Sequence, residues 1–287
     1  VQAISLEGSY NTRGIGPRGA PRLVRTAALD TLTAEGERVL RAHGADLVLD
    51  LREPSERGAH DHGLPVRSIP LYGSAPPASG TLEDVYARLI ADRGDRLAAA
   101  VVAIAEHPGT VVVHCTAGKD RTGLVVALAR LAARHDPHEI FADYALSGAA
   151  VRTARSGLVA ARLDALGLAG AERRDAERLH LDSPADALTT ALQRIELGGG
   201  IDRYLLAHGA TPEHLAALAR RFSWRSPSCA GAAGDATAWD SATAARDTTA
   251  ARDTTAARDT TAAGAAAGSG SGSGSGSRAG SGAGAAA

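Results

Sequence analysis

Residues 114–123 read His-Cys-Thr-Ala-Gly-Lys-Asp-Arg-Thr-Gly, which brings a thiol, an ammonium, a carboxylate and a guanidinium close together in the chain. Cysteine is a nucleophile in its thiolate form, and cationic surroundings favour that form. Arg121 carries a planar guanidinium able to hold two phosphate oxygens at once. The Cys-x5-Arg spacing of Cys115 and Arg121 is weak by itself, because arginine is abundant here; its context gives it weight. Residues 110–114 (Thr-Val-Val-Val-His) read as a fully buried strand, and a helix from about 122 to 134 follows, apolar on nearly every side. A loop between the C-terminal end of a strand and a helix N-terminus turns its backbone N–H groups inward and forms a concave anion site. Such a site would displace an alcohol from phosphorus by sulfur attack and release phosphate by hydrolysis of the thiophosphate. Donors already in place would meet the charge that develops on the equatorial oxygens.

Each neighbour has a readable part in that chemistry. Cys115 is the candidate nucleophile and Arg121 the candidate phosphate grip. Asp120 is the nearest carboxylate that could protonate the leaving oxygen, with orientation of Arg121 or balance of Lys119 as the other reading. Thr116, Ala117, Gly118, Lys119, Thr122 and Gly123 are expected to line the phosphate. Gly118 lets the backbone curl without a Cβ, Thr122 offers a hydroxyl to the sulfur, and Gly123 lets the helix pack closely. Lys119 is expected at the mouth, as a second cation for a substrate with more than one negative group. His114, directly before the nucleophile, is expected to hydrogen bond within the loop rather than to move protons.

The elements that must hold this loop are partly visible. Residues 47–51 form a strand-like apolar run and 66–71 a weaker one. Between 81 and 106 the period is helical with a break near Gly94, and Thr81 with Asp84 resembles a helix N-cap, the preferred reading of Asp84 over an acid. Segments 137–151, 183–197, 201–208 and 212–222 are also helical, with Pro184 and Pro212 placed behind the hydroxyls of Ser183 and Thr211. The expected fold class is α/β, a small mostly parallel central sheet flanked by helices, with a helical C-terminal part. Residues 1–225 should form the catalytic domain. Residues 226–287, with three copies of Ala-Ala-Arg-Asp-Thr-Thr and a Gly-Ser run, read as a low-complexity disordered tail.

Composition narrows the classes. A net charge of −1 gives no basic field for nucleic acid. No stretch approaches the ~20 apolar residues of an integral membrane segment, and residues 1–19 lack a signal-peptide pattern; a cytoplasmic location follows, with signal-independent export left open. Two cysteines, Cys115 and Cys229, form neither a disulfide framework nor a zinc site; no cofactor is expected. Lysine and arginine total 31, yet Lys119 is the single lysine, which suggests a position where arginine does not fit.

The loop resembles the Cys-x5-Arg signature of protein tyrosine phosphatases, and more narrowly the bacterial tyrosine and lipid phosphatase group with Lys-Asp-Arg in the loop. Three flanking pieces are similar to that group: Asn11-Thr12-Arg13-Gly14-Ile15-Gly16 to Asn-Phe-Arg-Asp-Leu-Gly, Asp50-Leu51-Arg52 with Glu56 to Asp-Leu-Arg…Glu, and Gly200-Ile201-Asp202-Arg203-Tyr204-Leu205 to Gly-x-x-x-Tyr-Leu. Thr12 and Gly14 depart from the usual Phe and Asp. The resemblance implies a metal-independent, often dual-specificity phosphatase for phosphotyrosine proteins. A phosphoinositide phosphatase and a phosphate-binding module that has lost catalysis are the alternatives. Residues 70–74, where many phosphatases carry the acid on a separate loop, contain no aspartate, which makes Asp120 the first choice. Arg52 is expected either near the site or in a surface ion pair with Glu56. The oligomeric state is not legible.

Overall fold

Six strands place the C-terminal ends of three parallel neighbours at one level, directly beneath the loop. In this computed structural model, which describes residues 1–59 and 61–223, the strands are β1 (Gln2–Ala3), β2 (Arg13–Ile15), β3 (Leu23–Thr26), β4 (Ala45–Asp50), β5 (Val66–Ser68) and β6 (Thr110–His114). Their order is β1-β2-β3-β6-β4-β5. The β1–β2 and β2–β3 pairs are antiparallel and the remaining three pairs are parallel. His114 at the end of β6 is level with Thr26 on one side and Asp50 on the other. Cys115 therefore leaves the centre of the sheet at its carboxyl edge, where ligands of open α/β sheets bind.

β6 is buried along its whole length, as its unbroken apolar run requires for a strand covered on both faces. Val111 and Val113 join one core cluster and Val112 the other, following the two-residue alternation of a strand. The Val112 face is covered by α1 (Ala34–Ala42) through Leu40, with Ile4, Leu6, Leu29 and Leu32 beside it. The opposite face carries most of the helices: α2 (Leu82–Asp92), α3 (Gly94–Glu106), α4 (Asp120–Ala132), α5 (Pro137–Ala165), α6 (Gly170–Leu181), α7 (Ala185–Leu197), α8 (Ile201–Ala207) and α9 (Pro212–Arg221). Every residue of α4 from Arg121 to Ala132 is buried. The apolar surround read from its sequence is thus the mark of a helix at the centre of the domain.

Several expectations need adjusting. β1 to β3, α1 and α6 were not legible as elements, and α5 continues to Ala165 rather than stopping near 151. Thr81 caps α2 by accepting from the Asp84 N–H at 3.2 Å, so Asp84 belongs to the cap. Thr211 caps α9, with Pro212 in the first helical turn. Ser183 does not cap α7; its hydroxyl donates to the Ala145 carbonyl at 3.1 Å, and Pro184 itself occupies the cap position. Among the described residues no helix is long and apolar enough to cross a membrane. The expected tail, 226–287, lies outside the described residues.

Candidate active site

The loop between β6 and α4 is shaped by its carbonyls, which are all drawn outward. The Thr116 carbonyl accepts from the Ala28 N–H at 3.2 Å and the Lys119 carbonyl from the Gly123 N–H at 2.7 Å. The Ala117 and Gly118 carbonyls both accept from the Asn11 side-chain amide at 3.0 Å, and Gly118 accepts again from Arg25 Nη2 at 3.0 Å. Among the described residues, the amides of 116–122 donate to no protein acceptor. Carbonyls engaged by the protein and amides without a protein acceptor are what an anion nest requires, and the first-turn amides of α4 extend the set. Gly118 is required for this curl. Its φ is +63°, and a Cβ there would lie 2.2 Å from the Thr26 carbonyl oxygen.

Asn11 serves as the latch of the loop, and it is itself buried with φ +57°. Its side-chain oxygen accepts from Arg13 Nη1 at 2.5 Å. Arg13 then reaches α5, pairing with Asp143 and donating to Ser147 Oγ at 2.8 Å. Arg25 pairs with the other Asp143 oxygen at 2.8 Å. Burial alone would raise the Asp143 pKa, but Arg25 and Arg13 overcome it and hold the carboxyl at about 2. Burial and the neighbouring Arg25 charge push Arg13 down to about 10. A compact set of buried cations therefore stands behind the nest. Thr12 bonds to Thr26 through its hydroxyl at 2.6 Å, so the substituted segment keeps its place through Asn11 and Arg13.

Cys115 is buried at 3% exposure at the base of the loop. Arg121 is buried beside it, and both terminal nitrogens engage Glu56, at 2.5 and 2.6 Å. Tyr72 lies over its guanidinium, 4.5 Å from ring centroid to carbon. Burial would raise the Glu56 pKa, yet its bonds and charge contact with Arg121, helped by Thr116, hold it at about 2. Glu53 orders the same wall, accepting from the Tyr72 and Gly73 N–H groups at 2.8 and 3.1 Å. Arg52 is buried as well, but it pairs with Asp30 and Asp50. The expected side-chain pair of Arg52 with Glu56 is not formed, because Glu56 belongs to Arg121.

The remaining loop residues are placed as follows. Lys119 is not at the mouth. Its ammonium is buried, donating to the Leu179 and Asp182 carbonyls at 2.8 and 2.5 Å and pairing with Asp120 Oδ1 at 3.0 Å. Three acceptors converging on one compact charge suit an ammonium and not a planar guanidinium, which accounts for the single lysine in physical terms. Asp120 keeps 18% side-chain exposure and accepts from the Tyr86 hydroxyl at 3.0 Å. The Thr122 hydroxyl is buried with no hydrogen-bond partner among the described residues, so it is uncommitted. A Cβ on Gly123 would lie 2.8 Å from the Tyr144 ring, so α4 and α5 pack closely there. The His114 Nδ1–H donates to the Cys115 carbonyl at 3.2 Å, and burial lowers its pKa to about 4. It is a neutral structural ring near neutral pH.

Sequence reasoning missed Arg25, Tyr86, Asp143 and Tyr144. Asp143 and Ser147 sit on the stripe that buries Ile140, Phe141, Tyr144 and Val151, and polar residues at core spacing were the available signal. A family model described as "Tyrosine phosphatase family" matches residues 4–223. A tyrosine-protein phosphatase from Nostoc commune is 31% identical over 143 residues, covering 45% of this chain and 49% of that protein. The chain thus spans about half the length of that relative.

Proposed function

Because the chain belongs to the tyrosine phosphatase family, we propose that it hydrolyses phosphotyrosine in proteins, and phosphoserine and phosphothreonine as well, through a phosphocysteine on Cys115. The observation that carries the reading is the run 116–122, whose amides have no protein acceptor among the described residues, in one loop with a buried cysteine and a buried arginine, and with every carbonyl from Thr116 to Lys119 engaged by the protein. In this reading Thr116, Ala117, Gly118 and Lys119 contribute backbone amides to the phosphate, as do Thr122 and Gly123 at the start of α4. Arg121 supplies the guanidinium, and Asp120 gives its proton to the leaving oxygen. The domain that does this is 1–225, with 226–287 as a low-complexity tail.

Inositol phospholipids are the comparison substrate. Their main support was a lysine at the mouth, and the Lys119 ammonium is instead held by Asp120 and two carbonyls. Phosphate release from a phosphotyrosine peptide and from an inositol phospholipid at matched concentration tests the preference, and faster lipid turnover would reverse it. Cys115→Ser should abolish turnover of both while leaving phosphate binding measurable by calorimetry, because the amides and Arg121 remain. Retained turnover in that variant would remove Cys115 as nucleophile.

A further inference from the structure

Asp120 receives an unusual amount of attention from the protein for a half-buried carboxyl at a helix start. Its Oδ1 accepts from the Tyr86 hydroxyl at 3.0 Å and pairs with the Lys119 ammonium at 3.0 Å. The Tyr86 hydroxyl also lies 2.6 Å from the Tyr144 hydroxyl. A phenol has one proton to donate. Since Tyr86 gives its own to the carboxylate, the proton between the two phenols comes from Tyr144, and the chain runs from Tyr144 through Tyr86 to Asp120. Both donors thus fall on Oδ1, while Oδ2 has no hydrogen-bond partner among the described residues.

We propose that Tyr86, backed by Tyr144, is a positioning residue that fixes the Asp120 carboxyl so that Oδ2 is the oxygen that carries the transferred proton. This rests on the reading of Asp120 as the acid of the proposed reaction. In the first step the Cys115 sulfur bonds to phosphorus as the ester P–O bond breaks, and the Oδ2 proton passes to the leaving oxygen. In the second step the carboxylate takes a proton from water as the water oxygen bonds to phosphorus. The S–P electron pair returns to sulfur as thiolate, and the starting protonation is restored. Burial, reinforced by the Asp120 charge, raises both phenol pKa values well above the ordinary range, so the two hydroxyls stay donors while the carboxyl cycles.

The alternative is that Tyr86 only fills the core, where its ring meets that of Tyr144 edge-on at 6.4 Å. Tyr86→Phe separates the two, since it keeps the ring and removes the hydroxyl. Phenyl phosphate needs its leaving oxygen protonated more than p-nitrophenyl phosphate does. The test compares kcat/KM, which reports the step that breaks the ester bond, for both substrates in the wild type, Tyr86→Phe and Asp120→Asn, with thermal unfolding to check folding. For Tyr86→Phe, kcat/KM on phenyl phosphate should fall about tenfold, the scale of one lost hydrogen bond to a charged group. The ratio of the two kcat/KM values should move in the same direction as in Asp120→Asn. An equal fall on both substrates would assign Tyr86 to packing and overturn the proposal. An unmoved ratio in Tyr86→Phe with a shifted one in Asp120→Asn overturns the proposal and leaves the acid reading standing. If the ratio is unmoved in Asp120→Asn, the acid reading fails and the proposal with it. Should Tyr86→Phe not fold, Tyr144→Phe carries the same comparison: a smaller shift of the ratio in the same direction supports the proposal, and an equal fall on both substrates overturns it.

Discussion

Glu56 uses both carboxylate oxygens on the arginine assigned to the phosphate. A guanidinium has five N–H donors; Glu56 takes two, and the Leu51 carbonyl and Thr116 hydroxyl accept two more at 3.5 and 3.3 Å, so the plane of the group is fixed and Nε–H is the donor left for another anion. The carboxyl titrates at about 2, so the pair is intact at any pH where the enzyme is expected to work, and an acid limb of the rate profile would belong to another group. Glu56→Gln should lower kcat/KM for an aryl phosphate by about tenfold or more, through loss of orientation rather than loss of a reacting group; steady-state kinetics with folding confirmed by circular dichroism would check it. An unchanged kcat/KM would mean that the loop alone orients Arg121. The pairing itself was only half legible. Glu56 stands out in the sequence, but nearness along the chain offers Arg52, four positions away, as its partner. Nearness along the chain misleads where β4 ends, because Arg52 turns to Asp50 and Asp30 instead. Lys119 stands out as the only lysine of the sequence, yet its acceptors Leu179 and Asp182 are sixty or more positions distant and no local pattern points to them.

The strand, loop and helix at 110–134 were readable because their periodicities are extreme: an unbroken apolar run, then a helix with no polar face. The N-terminal strands were not, since β1 and β2 have two and three residues and leave no room for a period to show. α5 outran its reading because the apolar stripe thins after Val151 and resumes only at Val159 and Leu163. α6 buries just Ala176, Leu179 and Leu181, too few for a strong amphipathic signal. At this scale the decisive requirement is the curl at Gly118. Gly118→Ala would place its Cβ against the Thr26 carbonyl and hold an L-residue at φ +63°, a conformation costing roughly 1–2 kcal/mol before any clash. Inorganic phosphate binding should weaken at least about tenfold as the amides turn away, and calorimetric titration would read it. Undiminished binding would show that the nest tolerates a different curl.

Across the whole domain, buried ionisable groups make stability a function of pH. His114 has a model-compound pKa of 6.5 and, buried, about 4. The unfolded chain therefore binds a proton in that interval and the folded protein does not, so stability falls as pH drops from about 6.5 to 4. The full shift amounts to about 3 kcal/mol. Asp143 and Glu56, both held at about 2, contribute stability that is present above the unfolded carboxyl pKa and is lost as pH falls toward 2. Denaturant unfolding at a series of pH values should show the first decline between 6.5 and 4, and His114→Asn should flatten it. A slope that survives the substitution would assign it to other groups.

Lys119 bears on how the polypeptide can be divided. Among the described residues all six strands and the helix after the loop are complete by Ala132, and a chain cut there would look sufficient on a topology diagram. It would also lose the Leu179 and Asp182 carbonyls that hold the Lys119 ammonium, beside the residue that opens α4. The smallest unit that keeps this ammonium in its place therefore reaches past residue 182, which ties the late helices to the loop after β6 and makes them no mere addition to it.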